Sequence, residues 1–360
     1  MIYNITLIII GLICSIILFY RFPFLNRKDK SSKLLVSVVI PARNEEKTLP
    51  FLLSDLQKFQ ADIHEIICIN DGSTDNTKDV ILEYGYKLVE VNDKPDKWMG
   101  KSWACLKGAS VSTGDVILFL DADVRLNKQG FNMLISEYED SKRTISVQPY
   151  HKMEKSFEKL SFIFNIVQVG GNGVTCAIKN GTAGLFGPVI LINRKEYFSI
   201  GGHSGAKDVI LEDLAIGQVL NARGLGYKLF LGGKDVSFRM YSQGIRQIIE
   251  GWTKNYAAGA AMARADIFII TFLWISALCS TAFNAISSWF INDLTKIITF
   301  NIFYILWVIE LTRISKKIGN YNILNAVFYP VYMVFFLVIF FMSVLKKVLK
   351  IKVSWKGRKI

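Results

Sequence analysis

The apolar residues of the chain are concentrated towards its two ends. Residues 5–20 (ITLIIIGLICSIILFY) carry no charge and precede a basic stretch, which predicts a transmembrane anchor over residues 1–22. A cleaved signal peptide would need a basic residue before this core and small residues after it, and the sequence shows neither. Further apolar runs predict C-terminal membrane segments over residues 264–345. They lie near residues 266–290, 296–312 and 322–345.

The region between these ends contains no apolar run long enough to cross a bilayer, so we expect one folded domain on one side of the membrane. Short β-branched runs alternate there with helical stretches, which is typical of βαβ units and a largely parallel sheet. We therefore predict an α/β, Rossmann-like domain over residues 34–260. Its strands are predicted at residues 34–40, 64–70, 87–91 and 116–120. Its first helix is predicted to begin at Thr48, with Pro50 in the first turn, and its other helices to lie near residues 74–84 and 100–111.

The net charge of +13 lies mostly beside the predicted membrane segments. Residues 346–360 carry seven basic residues and no acid, and residues 21–33 carry five basic residues and one acid. Anionic lipid surfaces attract such residues by about 1 kcal/mol each. We therefore favour a cell-membrane protein with a cytoplasmic domain and a basic cytoplasmic tail, and we do not expect nucleic acid as a partner.

A cytoplasmic tail conflicts with three membrane crossings after the domain. The first two segments form a hairpin that returns the chain to the cytoplasm, and the third then exports the basic tail against the positive-inside rule. Proline removes a backbone donor and kinks a helix. We therefore predict that Pro330 divides residues 322–345 into two half-helices that re-enter the membrane or lie at its surface.

Polar residues follow three of the predicted strands, in the segments PARNEE, NDGSTD and DADV. A helix cap or a turn explains each segment when it is taken alone. In parallel sheets, however, ligands bind beyond the carboxyl ends of the strands. Three such segments at one edge of one sheet therefore indicate a binding site.

Asp121 and Asp123 are the candidates for a metal site. They lie two positions apart, so in an extended segment both carboxylates point to the same face and repel each other. The chain has only three histidines and no closely paired cysteines, so oxygen ligands and therefore Mg²⁺ or Mn²⁺ are expected. Such an ion would also bind a diphosphate. A turn with one capping aspartate is the alternative.

Further charged residues are suited to a nucleotide and its chemistry. Asp71 follows the second strand, where a carboxylate contacts the base or ribose. Lys101 opens a helix, where an ammonium group and backbone amides favour a phosphate, although it also fits an exposed surface lysine. Glu212 and Asp213 follow an apolar run, and adjacent acids at a helix start also occur because they complement the helix dipole.

These motifs occur in the order seen in family 2 glycosyltransferases, which the chain resembles over about residues 34–260. The resemblance implies the GT-A fold and an inverting transfer from a UDP-sugar donor. It assigns the metal to Asp121 and Asp123, and catalysis to Asp213 as the base with its neighbour Glu212. It assigns the nucleotide to Pro41, Ala42, Asn44, Glu45, Asp71, Lys101 and Asp121.

The segments SVQPYH, FGPVILINR and FRMYSQGIRQIIEGWTKNYAAGA and the terminal VSWKGR are similar to bacterial glycosyltransferases of carotenoid acids. That resemblance implies glucose transfer from UDP-glucose to a membrane-embedded carotenoid carboxylic acid such as 4,4'-diaponeurosporenoate. The Q-x-x-R-W signature of processive polysaccharide synthases is not reproduced, because Arg246 and Trp252 are too far apart. Polymer extrusion is therefore disfavoured.

We expect the acceptor to enter from the membrane along residues 156–171 and 244–263, which are rich in apolar side chains. Ordinary core packing explains both segments equally well. Transfer to a polyprenyl phosphate or a glycerolipid would use the same motifs. A non-catalytic membrane protein that binds nucleotide sugars is a further alternative, although clustered acids are costly without a task.

Overall fold

Strands and helices alternate through the middle of the chain, and long helices occupy its ends. The computed structural model describes residues 1–26, 32–178, 181–351 and 354–359. Its strands are β1 (Val36–Ala42), β2 (Glu65–Asn70), β3 (Lys87–Glu90), β4 (Val116–Leu120), β5 (Val124–Leu126), β6 (Thr144–Gln148), β7 (Tyr150–His151), β8 (Val189–Asn193), β9 (Tyr227–Leu231), β10 (Val236–Phe238), β11 (Ser354–Trp355) and β12 (Arg358–Lys359).

The helices of the described residues include short ones around the strands and longer ones towards the chain ends. They are α1 (Ile2–Leu18), α2 (Leu49–Gln57), α3 (Thr77–Glu83), α4 (Gly100–Ser110), α5 (Lys128–Ser141), α6 (Phe162–Asn172), α7 (Arg194–Ser199), α8 (Glu212–Ala222), α9 (Ile245–Met262), α10 (Ala265–Ile291), α11 (Leu294–Ile318), α12 (Ile323–Val327) and α13 (Tyr329–Val348).

The chain divides into two compact units, of which the first contains all the strands of the described residues. It comprises the described residues of 23–152 and 184–240 together with 354–359. Its main sheet has seven strands in the order β3-β2-β1-β4-β8-β6-β9. Strands β1 to β4 are parallel neighbours joined through α2, α3 and α4, which confirms the predicted βαβ units.

The main sheet is largely parallel, as predicted, and its antiparallel pairs both involve β8. Strand β8 runs antiparallel to both β4 and β6, while β6 and β9 are parallel. A short apolar run such as VILIN forms a buried strand in either direction, so its sequence does not reveal its orientation. Smaller sheets are formed by β5, β10 and β7, and by β11 and β12.

Local sequence explains the strand and helix ends that frame the site. All five residues of β4 are apolar and buried, as a strand covered on both faces requires. Helix α2 begins after Thr48 with Pro50 in its first turn, where a missing N–H costs nothing. Helix α3 is followed by Gly85 with a φ of 71°, the left-handed conformation that commonly ends helices. These predicted boundaries are confirmed.

The second unit is helical and contains α1, α6 and α9 to α13. Helix α1 packs against α10, which also packs against α11, and α9 packs against α13. The α1–α10 approach is close, because a Cβ on Gly11 would lie 2.1 Å from Cβ of Ala277. Trp274 and Trp307 meet in the interior of this unit, with ring centroids 6.2 Å apart.

Three helices of this unit, α10, α11 and α13, are long and apolar enough to cross a membrane. They carry large exposed apolar side chains, such as Phe290 at 86% exposure, which suits contact with lipid rather than water. The predicted C-terminal membrane segments are therefore confirmed as long apolar helices. The predicted N-terminal anchor forms α1, whose 17 residues are at the lower end of the length that spans a bilayer.

Pro330 does not produce the predicted pair of half-helices. The chain does break at Phe328, but the pieces are α12 with 5 residues and α13 with 20. Pro330 lies in the first turn of α13, where a helix needs no N–H from that residue, so it starts a continuous helix instead of interrupting one.

The two segments expected to guide an acceptor pack against each other within the helical unit. Phe164 of α6 stacks on Trp252 of α9 with ring centroids 4.9 Å apart. The indole N–H of Trp252 donates to Oγ of Ser161 at 3.1 Å. The apolar residues at these contacts are therefore explained by core packing, whereas Arg246 at the start of α9 has a 91% exposed side chain.

Candidate active site

Three neighbouring strands end side by side and bring their following residues together. The strands are β2, β1 and β4, which are adjacent in the sheet. Asp71 follows β2, Arg43 follows β1 and Asp121 follows β4. The backbone N–H of Asp71 donates to the carbonyl of Ala42 at 2.9 Å, which ties the first two exits together. The predicted convergence of polar residues at one sheet edge is confirmed.

Asp71 is a buried carboxylate held by arginine. Its residue is 4% exposed, and Oδ2 accepts a hydrogen bond from Arg358 at 2.6 Å. Its backbone carbonyl accepts from Arg43 at 2.6 Å and from Arg358 at 3.1 Å. The second carboxylate oxygen, Oδ1, is buried and has no hydrogen-bond partner among the described residues. This orphaned acceptor can take a hydrogen bond from a ligand.

Asp121 and Asp123 lie in a turn rather than in the extended segment that we predicted. The N–H of Val124 donates back to the carbonyl of Asp121 at 3.1 Å, because the chain reverses there to enter β5. Their carboxylates nevertheless interact. Burial and the neighbouring charges of Asp121 and Glu45 raise the pKa of Asp123 to about 8, although Lys356 and Lys101 act in the opposite direction.

Lys101 connects two groups of acids. From the first turn of α4, its Nζ lies 2.7 Å from Oδ1 of Asp121 and 3.2 Å from Oε1 of Glu212. Burial by itself lowers the pKa of Lys101, but these two carboxylates raise it well above its ordinary value. The ammonium group is thus a fixed positive charge between the end of β4 and the start of α8.

Glu212 and Asp213 form the first turn of α8, as predicted. The negative charges of both residues raise the pKa of Lys101. Burial, followed by the charge of Glu212, raises the pKa of Asp213 to about 7. A carboxyl group with such a pKa exchanges protons near neutral pH, which is the property required of a general acid or base. The pair can therefore do more than complement a helix dipole.

Two glycines allow the backbone to approach these charged groups. A Cβ on Gly187, just before β8, would lie 2.9 Å from Oδ2 of Asp213 and 3.2 Å from Nζ of Lys101. A Cβ on Gly100 would lie 2.3 Å from Oδ2 of Asp71 and 2.6 Å from NH1 of Arg358. Any larger residue would push a charged side chain away, so small size is required at both positions.

The C-terminal hairpin, which we define as residues 354–359, reaches the same sheet edge. Its two-residue loop has φ of 45° at Lys356 and 78° at Gly357, the left-handed conformations that a type I′ turn requires. Lys356 forms an ion pair with Glu45, and Arg358 forms one with Asp71. Nε of Arg43 donates to the carbonyl of Lys356 at 3.3 Å.

The predicted first nucleotide-binding segment shapes the exit from β1. Pro41 and Ala42 end the strand, and Asn44 has a left-handed φ of 52°. Its side-chain oxygen accepts from the N–H of Thr74 at 2.8 Å, and the N–H of Glu45 donates to Oγ1 of Thr77 at 2.8 Å. These bonds join the exits of β1 and β2, so this segment positions Glu45 beside the site.

Sequence reasoning missed Arg43, Lys356 and Arg358. Arg43 stands inside the quoted PARNEE segment but was given no role. The two tail residues belong to a basic run that we attributed to lipid attraction, whereas they pair with Glu45 and Asp71. The signal that could have found them is Gly357 between two short runs, because glycine readily adopts the positive φ that a two-residue hairpin turn requires.

The donor set at Asp121 and Asp123 suits a hard divalent cation. In the described part of the chain, no three His, Cys, Asp or Glu side chains gather closely enough to enclose a metal ion. Mg²⁺ is commonly bound through one or two carboxylates and completes its shell with water and substrate phosphates. A cation there would also offset the burial of Asp123 and its repulsion by Asp121, which together raise the pKa of Asp123. The two aspartates therefore fit such an ion.

Comparison with known proteins identifies the class. The profile described as "Glycosyl transferase family 2" matches residues 37–196. A 4,4'-diaponeurosporenoate glycosyltransferase from Staphylococcus aureus (strain MRSA252) is 32% identical, over 98% of this chain and 95% of its own length. The protein of that name from strain USA300 matches with the same identity and coverage.

The fold has a counterpart among solved structures. A mannosyltransferase from Pyrobaculum calidifontis, solved in complex with GDP-Man and Mn²⁺, aligns with a TM-score of 0.58 at 13% identity. The alignment covers 97% of this chain and 99% of that one. Fold and site thus define a membrane-associated glycosyltransferase with the GT-A fold. The chain belongs to glycosyl transferase family 2, and diaponeurosporenoate glycosyltransferases are among its full-length relatives.

Proposed function

We propose that this enzyme transfers glucose from UDP-glucose to a carotenoid carboxylic acid in the membrane, forming a glucosyl ester. The observation that carries the proposal is the convergence of Asp71, Asp121 and Glu212-Asp213 on the first turn of α4. The acceptor is inferred from relatives that match the chain over nearly its whole length and are named for 4,4'-diaponeurosporenoate. The apolar helices α10, α11 and α13 support an acceptor that resides in lipid.

The donor nucleotide is proposed to bind at Asp71. Its buried Oδ1 is an acceptor without a partner among the described residues, and the imide N–H of uracil is a donor suited to it. The neighbouring segment, with Pro41, Ala42, Asn44 and Glu45, would border the nucleoside. Lys101 carries a positive charge beside Asp121 and can donate to the diphosphate.

Asp121 and Asp123 would hold Mg²⁺ or Mn²⁺, and such an ion stabilises negative charge on a departing diphosphate. In the proposed step an acceptor oxygen attacks the anomeric carbon while the bond to the UDP oxygen breaks. The electron pair of that bond leaves with UDP, and the sugar centre inverts. Lys101 would stay close to the leaving group throughout, because Asp121 and Glu212 hold its ammonium on two sides.

Asp213 is proposed to share a proton with the acceptor. A carboxylic acid has a pKa of about 4, so the acceptor is almost fully ionised at neutral pH. Asp213, whose pKa is raised to about 7, holds the proton in a large fraction of the molecules at that pH and can then donate a hydrogen bond to the incoming carboxylate. When the same proton lies on the acceptor instead, Asp213 is ionised and removes that proton as the acceptor attacks. Glu212 would support this residue by raising its pKa.

The proposal is tested by incubating membranes that contain the protein with UDP-glucose, Mg²⁺ and one lipid at a time. The lipids are a carotenoid carboxylic acid, a polyprenyl phosphate and a glycerolipid, and the products are analysed by mass spectrometry. We expect a glucosyl ester of the carotenoid acid, and hydroxylamine should cleave this ester. EDTA, which removes Mg²⁺, should prevent its formation. Asp213→Asn should abolish it, whereas Asp96→Asn, which changes an exposed loop carboxylate, should not.

A product formed only on polyprenyl phosphate or glycerolipid would overturn the proposed acceptor and leave the glycosyltransfer intact. Binding of UDP-glucose without turnover on any of the three lipids would instead favour a nucleotide-sugar-binding membrane protein. A sugar other than glucose, found by offering UDP-galactose in parallel, would correct the donor alone.

A further inference from the structure

The C-terminal hairpin carries two cations into a site that is otherwise built from residues 41–213. Lys356 and Arg358 are separated only by Gly357, and they reach different carboxylates, Glu45 and Asp71. The left-handed φ values of Lys356 and Gly357 form the turn that makes this double contact possible. The matched family profile ends at residue 196, so these cations come from outside the shared domain.

Arg43 anchors the hairpin to the strand exits. Its guanidinium donates to the carbonyls of Asp71 and Gly72 at 2.6 and 2.7 Å, and through Nε to the carbonyl of Lys356 at 3.3 Å. Arg358 approaches the same turn. A Cβ on Gly72 would lie 3.3 Å from NH2 of Arg358 and 3.5 Å from NH1 of Arg43. Two guanidinium groups therefore lie side by side at the exit of β2.

Such crowding of cations is costly unless negative charge compensates it. Burial and the positive charge of Arg358 lower the pKa of Arg43, while Asp71 acts in the opposite direction. Asp71 accepts from both arginines, through its carboxylate from Arg358 and through its backbone carbonyl from Arg43, so the two guanidinium groups share the negative charge of a single carboxylate. An anionic ligand with several oxygens would satisfy the cluster better than a single carboxylate does.

The carboxylates at this edge of the sheet also call for nearby cations if a nucleoside diphosphate is to bind. Glu45, Asp71, Asp121 and Asp123 repel a nucleoside diphosphate unless cations accompany them. Lys101 and Arg43 supply two positive charges, and the hairpin supplies two more. The Oδ1 atom of Asp71 provides an independent sign of a ligand here, because it is a buried acceptor without a partner among the described residues.

We propose that the C-terminal hairpin is a donor-binding strap, in which Arg358 and Lys356 contact the nucleoside diphosphate of the donor. Arg358 orients Asp71 so that Oδ1 receives the base, and its guanidinium, with the ammonium of Lys356, neutralises the diphosphate. This proposal rests on the proposed function for the identity of the nucleotide. It requires only that the ligand be a nucleoside diphosphate.

Calorimetric binding of UDP and of GDP to the detergent-solubilised full-length protein, with Mg²⁺ present, tests the strap directly. We expect Arg358→Ala and Lys356→Ala each to weaken UDP binding by about tenfold or more. Arg358→Lys should bind UDP with an intermediate affinity, because lysine keeps the positive charge but lacks the planar guanidinium that donates two parallel hydrogen bonds. Lys350→Ala, which removes an exposed charge from the same tail, should bind UDP as the wild type does.

Limited trypsin cleavage after Lys356 and Arg358 provides a second readout that does not depend on a substitution. A strap that holds the donor should be cleaved more slowly when UDP and Mg²⁺ are added. Faster cleavage, or tighter UDP binding by Arg358→Ala, would mean that the hairpin is a plug displaced by the donor, and this would overturn the proposal.

The remaining outcomes separate the two proposals. Unchanged UDP affinity in both alanine variants would overturn the strap and leave the proposed function standing. Wild-type binding to GDP but not UDP would overturn the proposed donor, and the variants would then test the strap with GDP. A wild-type protein that binds neither nucleotide would overturn both.

Discussion

The ammonium nitrogen of Lys101 lies 2.7 Å from Oδ1 of Asp121, so a single ion pair joins the first turn of α4 to the end of β4. The same nitrogen also lies 3.2 Å from Oε1 of Glu212, at the start of α8. Three elements that are far apart in the sequence therefore meet at one positive charge. Removing that charge should affect both the leaving-group side and the acceptor side of the proposed reaction.

We expect Lys101→Met to lower turnover by about 100-fold or more, as loss of a positioned charge at a reacting group does. It should also lower the free energy of unfolding by about 3 kcal/mol, because the buried Glu212 loses its cation. Lys107→Met on the same helix is the control, since Lys107 pairs with the exposed Asp93. Glucosyl transfer and thermal unfolding in detergent measure both effects. Equal losses in the two variants would contradict the central role of Lys101.

The pH dependence of the rate should reveal the class of the acceptor. With a carboxylic acid acceptor, the reactive complex holds one proton between Asp213 and the acceptor. Since the pKa of Asp213 is raised to about 7, kcat/KM should fall as the pH rises through that value. With an alcohol acceptor, Asp213 must be ionised and kcat/KM should rise over the same range. Initial rates with a carotenoid acid between about pH 5.5 and 8.5 decide between these profiles.

The same group should make the stability of the protein depend on pH. Because burial raises the pKa of Asp213 in the folded state, the folded protein binds this proton more tightly than the unfolded chain. That stabilisation is present near pH 4 and is lost as the pH rises to about 7. Asp213→Asn has no proton to lose, so its melting temperature should rise relative to the wild type between pH 4 and pH 8. Asp96→Asn should show a constant difference, and a constant difference for both variants would argue against the raised pKa.

Gly187→Ala should damage catalysis more than folding. The added methyl group would lie 2.9 Å from Oδ2 of Asp213 and 3.2 Å from Nζ of Lys101, and these flexible groups move more easily than backbone. We expect kcat to fall by about tenfold or more with a nearly unchanged melting temperature. Gly233→Ala, where a Cβ meets nothing within 4 Å, is the matched control. Full activity in Gly187→Ala would show that Asp213 tolerates displacement.

The sequence made the parallel half of the sheet and its polar exits predictable, because uninterrupted apolar runs such as β4 end in unmistakable acids. It also predicted the helix starts at Gly100 and Glu212. It left the turn at Asp121 to Asp123 as an alternative to the extended segment, since the same three residues fit both. The direction of β8 could not be predicted either, because a buried apolar strand has the same composition whether it runs parallel or antiparallel to its neighbours.

The roles of Lys356 and Arg358 were hidden by distance along the chain. A run of basic residues after a membrane segment looks the same whether it faces lipid or carboxylates that lie about 300 residues earlier. Only the fold brings Arg358 within 2.6 Å of Asp71. Local pattern therefore located the acids of the site and, of its four cations, assigned only Lys101.

The position of the hairpin also constrains how the chain threads through the bilayer. Met240 and Ser354 belong to the same folded unit, so we expect both to lie on one side of the membrane and the chain between them to cross it an even number of times. Three helices in that interval are long enough to cross. We expect α10 and α11 to cross as a pair, and α13, which packs against α9 and α6, to lie along one leaflet.

An impermeant thiol reagent applied to intact cells should therefore label Asn292→Cys, between α10 and α11, but should not label Lys350→Cys until the cells are opened. Labelling of both in intact cells would mean an odd number of crossings. With an even number of crossings, the chain would leave the catalytic unit, enter the membrane and return to the same unit on the same side of the membrane.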